Sequence, residues 1–333
     1  MNIYDISKKA GVSIATVSRV LNGSDKVSDK TRQRVLKVMT DLNYTPNVFA
    51  RGLGLDSMKT IGIMCPDASD PFLANGVYYA EQTLRGHGYD TLMSCCGYQT
   101  EDKKKSLEQL MSKRIDGIVL IGSSCIERKE EDNAYIKEAA QHIPIAIING
   151  YMAGEHIYCS FCNDFQATFD VTNSLLDKGR EAILFLYRTL SYSGRQKLNG
   201  HLSAMKARGI EPDEKLIIQM ENDIRKTEEQ LKNLYERGLR FDSILSCEDL
   251  FAVAGVKFAK KAGISIPEEM DIIGYNNSLL SAASAPELTS IDSKVREITI
   301  QGVEMLVDAL EGKDTGQKSC VPCELIKRET TDF

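Results

Sequence analysis

Cys159-x-x-Cys162 and Cys320-x-x-Cys323 are the spacings in this chain that most suggest chemistry, because four thiolates in two such pairs can hold a zinc ion tetrahedrally. Both pairs sit in segments that read as extended, where residues three apart face opposite sides. Neither carries the glycine-bearing knuckle that turns two thiolates toward one ion. No metal is therefore expected. The remaining cysteines, including Cys65, Cys95, Cys96, Cys125 and Cys247, read as small buried apolar side chains in a reducing compartment. The four histidines (His87, His142, His156, His201) are scattered, and the chain has no Gly-x-Ser-x-Gly elbow, Walker phosphate loop or His-Glu-x-x-His motif. Neither catalysis nor a cofactor is expected.

The residues from Gly11 to Asn22 offer a different chemistry, contact with the edges of DNA bases. Ser13 is placed to cap a short helix, and Gly11 supplies a turn position tolerant of unusual backbone angles. At about 100° per residue, Val17, Val20 and Leu21 fall on one side of that helix. Ala15, Ser18, Arg19 and Asn22 fall on the other, with Ile14 at the border. Upstream, Ile3 to Ala10 forms a second short helix with Ile3, Ile6 and Ala10 inward, completing a helix-turn-helix. A third helix is predicted from a Ser28 cap to about Leu42, on the spacing of Thr31, Val35, Val38, Met39 and Leu42. Residues 1–53 hold nine lysines and arginines against four aspartates, although the whole chain has a net charge of −6. A basic head on an acidic body suits a phosphate-binding module attached to a soluble domain.

The run Tyr4-Asp5-Ile6, Ala10-Gly11-Val12-Ser13, Thr16-Val17-Ser18-Arg19-Val20-Leu21-Asn22, Val27-Ser28, Thr31-Arg32, Pro46-Asn47 and Ala50-Arg51-x-Leu53 closely resembles the lactose-repressor (LacI/GalR) family of bacterial transcription regulators. The resemblance implies DNA contacts from Tyr4, Ser13, Ile14, Ala15, Thr16, Ser18, Arg19, Asn22, Tyr44, Asn47, Ala50 and Leu53. It implies that residues 46–59 act as hinge helix and linker, folding over the minor groove when two copies meet, with Leu53 wedged into the central base step. Alone, Asn47 to Leu53 is too short to be a stable helix, and Gly52 weakens it further. A plain flexible linker is the alternative.

With 42% hydrophobic and 26% charged residues the chain is ordinary for a soluble protein, and its length allows more than one core. No stretch approaches the ~20 apolar residues of a membrane span, and the first residues are a polar helix without an apolar signal, so a cytoplasmic location without membrane contact is expected. From Thr60 the pattern changes to an α/β fold of parallel sheets. Apolar strands at Ile61–Cys65, Thr91–Cys95, Gly117–Ile121 and Ile145–Ile148 alternate with helices, and a second set runs through Ile183–Leu186, Leu216–Gln219, Ser243–Leu245 and Asp271–Ile273. Strands near Thr289–Ile291 and Cys320–Ile326, flanking a helix near Glu297–Glu311, are left over. The resemblance implies that they return the chain between two lobes like those of periplasmic sugar-binding proteins. The expected organisation is a head at 1–45, the hinge and linker at 46–59, and an effector-binding and dimerisation domain at 60–333. Its N-lobe would take about 60–160 and 292–321, and its C-lobe about 161–291 and 322–333.

In such sheets ligands sit beyond the carboxyl ends of the strands, here between the lobes. By resemblance the cleft takes Asp70, Phe72, Ser123, Asn149, Arg195, Lys197, Asn222, Glu248, Asp249 and Asn276. Phe72 either stacks on a sugar ring or is a core aromatic. Ser191 to Met205 resembles the family's Arg-bearing segment before Gly-x-x-x-Ala, kept here as Gly200 and Ala204. Arg195 and Lys197 compete for the role of its cation. Asn163-Asp164 inverts the family's order, Glu248-Asp249 replaces Asn-Asp, and Asn276 stands where an aspartate is usual. Two function classes follow: a ligand-responsive regulator, or an enzyme with a DNA-binding head; the missing catalytic motifs favour the first. The expectation is a homodimeric repressor of carbohydrate-utilisation genes, partnered by pseudo-palindromic double-stranded operator DNA and a small effector, a neutral sugar.

Overall fold

The computed structural model describes residues 2–21, 24–42, 44 and 57–333, in two compact units divided near Thr60. The expected hinge segment, with Asn47, Ala50 and Leu53, lies outside the described residues, as does Asn22.

The first unit holds three helices, α1 (Ile3–Ala10), α2 (Ile14–Leu21) and α3 (Asp29–Asp41). A capping box starts α1: the Asn2 side chain accepts from the amides of Tyr4 and Asp5, and Asp5 accepts from the Asn2 amide at 2.9 Å. The helix ends where Gly11 turns left-handed (φ 62°), and the Ser7 hydroxyl donates to the Val12 carbonyl at 2.6 Å, closing the turn. Ile6, Ala10, Val17, Val20, Val35 and Met39 form the core, an apolar stripe from each helix, joined by Val27 from the turn before α3. Ser28 stands before α3, but its hydroxyl donates to the Thr31 hydroxyl and accepts from no backbone amide of the helix.

In the second unit, one lobe is built on β1 (Thr60–Cys65), β2 (Asp90–Cys95), β3 (Gly117–Ile121), β4 (Ile145–Ile148) and β5 (Ile157–Cys162), with helices α4 (Pro71–Gly86), α5 (Thr100–Met111) and α6 (Ala134–Ala140). The chain then makes α7 (Asp164–Asp177), β6 (Ile183–Tyr187), α8 (Tyr192–Ala207), β7 (Ile217–Gln219), α9 (Ile224–Glu236), β8 (Ser243–Ser246), α10 (Asp249–Ala262), β9 (Asp271–Tyr275), α11 (Leu279–Ala283) and β10 (Thr289–Asp292). It ends with α12 (Val295–Leu310), β11 (Lys318–Val321) and β12 (Glu324–Ile326). The sheets run β11-β5-β4-β3-β1-β2 and β12-β10-β9-β8-β6-β7, so the chain crosses between them after β5, after β10 and between β11 and β12. Leaving aside β1 with β2, the pairings are parallel except β10 with β12.

Two strand readings need correction. Ile157–Cys162, read only as an extended segment, is a fully buried sheet strand. Cys320–Ile326 is not one strand, because the run divides at Pro322-Cys323 between the two sheets. Pro322 has no amide to continue a ladder. The Gly-x-x-x-Ala motif has a packing cause. A Cβ on Gly200 would sit 2.2 Å from the Phe165 carbonyl oxygen, so only glycine lets α7 and α8 approach this closely, and Ala204 is fully buried beside it. The Thr168 hydroxyl then donates to the Lys197 carbonyl at 2.8 Å, setting α8 against α7.

Candidate functional site

On the head, α2 presents the predicted face. The Ser13 hydroxyl accepts from the Thr16 amide at 3.2 Å and meets the Thr16 hydroxyl at 2.9 Å, so both side chains define the start of the helix. Val17 and Val20 are buried, whereas Ile14, Ala15 and Arg19 are exposed on the other side and Ser18 is half-buried between them. Tyr4 is exposed on α1. Tyr44 instead lays its ring against the head's core, so its evident contribution is to packing.

The cleft between the two sheets encloses about 560 Å³ of space continuous with solvent, lined from the N-lobe side by Asp70, Phe72, Ser123 and Asn149. Asp70 caps α4: its Oδ1 accepts from the amides of Phe72 (2.9 Å) and Leu73 (3.2 Å), which aims the carboxylate across the cleft. Phe72 lines the cleft and packs on the N-lobe core. Ser123 follows β3 and pairs its hydroxyl with that of Ser191 at 2.8 Å, a direct bond between the lobes. Asn149 follows β4 with φ 65°, a left-handed conformation that asparagine tolerates better than most residues.

The C-lobe wall is denser in charge. Arg188, the residue after β6, donates from one terminal nitrogen to Asp70 Oδ2 at 2.9 Å, and its Nε lies 3.1 Å from Glu248 Oε1. That second contact is off-line for a hydrogen bond, which leaves the buried Nε–H without an acceptor. Burial works against the charge of Arg188, but Glu248 and Asp70 outweigh it and its pKa is raised. Burial also raises the pKa of Glu248, against the opposing pull of Arg188. Asp249 is raised by burial too, and it is already engaged: it accepts from the amide and hydroxyl of Ser278 (2.6 and 2.7 Å) and from the Ser290 hydroxyl (2.6 Å). Lys197 is buried, donates to the Cys247 carbonyl at 3.1 Å and sits 3.6 Å above the Tyr275 ring. Asn276, with φ 88°, accepts from the Ser293 hydroxyl at 3.1 Å. Asn222 is exposed at the rim of the adjoining hollow.

Residues 2–47 match the family described as "Bacterial regulatory proteins, lacI family", and residues 58–329 match "Periplasmic binding proteins and sugar binding domain of LacI family". The chain belongs to the LacI family. An HTH-type transcriptional regulator of Lachnoclostridium phytofermentans is 51% identical over 333 residues, the whole of both chains. The HTH-type transcriptional regulator DegA of Bacillus subtilis is 31% identical over 331 residues, 99% of this chain and 97% of that one. Among solved structures, the Lac repressor bound to ONPG in its repressed state has a TM-score of 0.87 at 23% identity, covering 99% of each chain, a likeness of fold. This LacI-family protein is thus a transcriptional regulator with a helix-turn-helix head and a sugar-binding domain, in a family of DNA-binding regulators and not of enzymes.

Two readings of this LacI-family cleft change. Arg195 is not in it: its guanidinium donates to the Leu190 carbonyl at 2.8 Å, at the start of its own helix, while Lys197 two residues on turns inward. Residues two apart on a helix point about 200° apart, so only one of the two can face the cleft. The principal cation is Arg188, which the sequence reading missed. Its signal was its place immediately after an apolar strand, where ligands of such sheets are held. Asn163 and Asp164 divide their work: Asn163 caps α7 through the Gln166 amide, and Asp164 turns inward to the Tyr275 hydroxyl at 2.6 Å. Among the described residues no helix is long and apolar enough to cross a membrane.

Proposed function

We propose that this regulator is a homodimeric repressor of carbohydrate-utilisation genes. In this reading α2 enters the major groove of a pseudo-palindromic operator, with Ile14, Ala15 and Arg19 at base edges and Leu53 at the operator's centre. A small neutral sugar in the interlobe cleft is the effector. The observation that carries the effector assignment is the charge pattern of the lining. Asp70, Glu248 and Asp249 stand against Arg188 and Lys197, and Arg188 is already placed against two of the carboxylates. An anionic ligand would meet surplus negative charge, whereas the Ser123–Ser191 hydroxyls, Asn149, Asn276 and the unpaired Arg188 Nε–H suit the hydroxyls of a sugar. Effector and operator then oppose or assist one another through the lobe arrangement each favours.

The test has two arms. Selection of binding sites from random duplex DNA should yield a pseudo-palindrome, and Arg19→Ala should cost about 1 to 3 kcal/mol on it while blurring one base pair per half-site. Equal losses on selected and random DNA would remove Arg19 as a reader. In a thermal-shift screen of neutral sugars, sugar phosphates and sugar acids, a neutral sugar should raise the melting temperature. Stabilisation by anionic ligands alone would sink the neutral-sugar reading.

A further inference from the structure

Beside the cleft, where the chain crosses between the sheets, two thiols and a carboxylate converge. Cys162 ends β5, Cys323 lies in the link from β11 to β12, and Asp164 opens α7. Their ligand atoms all lie within 4.8 Å of one another, with Cys162 Sγ 3.2 Å from Asp164 Oδ1. The Tyr275 hydroxyl lies 2.6 Å from the same Oδ1 and 3.6 Å from Cys323 Sγ. The two C-x-x-C spacings hide this cluster, because each contributes one cysteine. Cys159 Sγ is turned to Met152, and Cys320 is exposed. Extended geometry separates the members of each pair, as the sequence predicts, and the crossovers bring one member of each together.

We infer that Cys162, Cys323 and Asp164 form a binding site for a borderline-soft divalent cation of the zinc class, with Tyr275 orienting the carboxylate. Metal–sulfur bonds of about 2.3 Å and metal–oxygen bonds of about 2.0 Å put tetrahedral neighbours roughly 3.3 to 3.8 Å apart. Small side-chain shifts reach that arrangement from the distances observed. Two sulfurs and one oxygen suit zinc and not magnesium or calcium, and three protein ligands leave one coordination position open. A hydrogen-bonded Tyr275 is the kind of outer partner that fixes a ligating carboxylate. Binding exchanges two thiol protons, released to solvent, for one divalent cation, so the net buried charge is unchanged. The centre itself, two thiolates and a carboxylate around a 2+ ion, carries −1. Lys197, whose charge burial opposes but Asp164 and its neighbours favour on balance, is placed to offset it. Because Lys197 also lines the cleft and Tyr275 precedes Asn276, an occupied site would tie the crossovers to the effector wall. This assignment does not rest on the sugar reading.

The experiment uses untagged full-length protein, reduced and titrated anaerobically with Co²⁺. It should take up one ion per chain with sulfur-to-cobalt charge-transfer absorption, and Zn²⁺ should displace the signal. Cys323→Ser and Cys162→Ser should each weaken binding by at least about 100-fold, at or beyond the upper end of the 10–100-fold typical of an outer partner. Cys320→Ser should leave stoichiometry and spectrum unchanged. Should buried Cys162→Ser fail to fold, the partly exposed Cys323 still decides the matter. No charge-transfer band in the parent protein, or an undiminished band in Cys323→Ser, overturns the site.

Discussion

The two lobes are the same design carrying different chemistry. Position by position, β1 leads to Asp70 at the cap of α4 where β6 leads to Ser191 at the cap of α8. Ser123 follows β3 where Glu248 lies just beyond β8, and Asn149 after β4 matches Asn276 after β9, both asparagines left-handed. The third pair keeps its residue because the backbone there asks for one that tolerates positive φ. Each of the other two sets a neutral hydroxyl against a carboxylate. The N-lobe wall offers one carboxylate and neutral groups, whereas the C-lobe wall carries both cations and two carboxylates. Shape is therefore shared between the lobes, while charge belongs mostly to one. The charged tie between them, Arg188 to Asp70, is the C-lobe's cation meeting the N-lobe's cap.

Breaking that tie should have the largest effect. Arg188→Leu leaves Asp70 and Glu248 facing each other unneutralised in the closed cleft, a loss of about 3 to 5 kcal/mol for an orphaned buried charge. Effector affinity by calorimetry should fall by more than about 100-fold, and adding Glu248→Gln should recover part of it. Unchanged affinity in the single variant would mean the lobes close without Arg188.

A second measurement asks how rigidly the C-lobe wall is backed. On α8 itself, buried His201 stacks on Phe185 with ring centroids 5.2 Å apart and meets the Thr172 hydroxyl at 3.1 Å. Burial lowers its pKa from 6.5 to about 4. The folded state therefore binds fewer protons than the unfolded state between those values. Stability is full above pH 6.5 and falls as pH drops toward 4, by about 3 kcal/mol in all. Denaturant melts from pH 7 to 4 should show that slope, and His201→Gln should flatten it. A parallel slope in both proteins would assign the acid sensitivity elsewhere.

The smallest effects test the matched asparagines. Glycine accepts the left-handed backbone without strain, so Asn149→Gly and Asn276→Gly report on the side chains alone. Each should weaken the cognate sugar by about 1 to 3 kcal/mol, the cost of leaving buried polar groups unpaired. Arg195→Ala, outside the cleft, should stay within about twofold. A loss confined to Asn276 would place recognition on the C-lobe alone.

What could be read from the chain alone was whatever depends on residues close in sequence. The faces of α2, the Ser13 cap, the apolar strands and the alternation that makes two parallel sheets follow from periodicity and from hydrogen bonds spanning three or four residues. The cleft was legible only as a set of strand ends. Which side chains meet there depends on partners far apart in sequence: Arg188 and Asp70 are 118 residues apart, and Tyr275 and Asp164 are 111 apart. No local pattern marks such pairs. Tertiary structure alone turned Arg195 outward and Lys197 inward, engaged Asp249 with two serines, and joined one cysteine from each pair across the crossovers. The reason is that periodicity decides which way a residue faces on its own element, while the packing of elements decides what it faces.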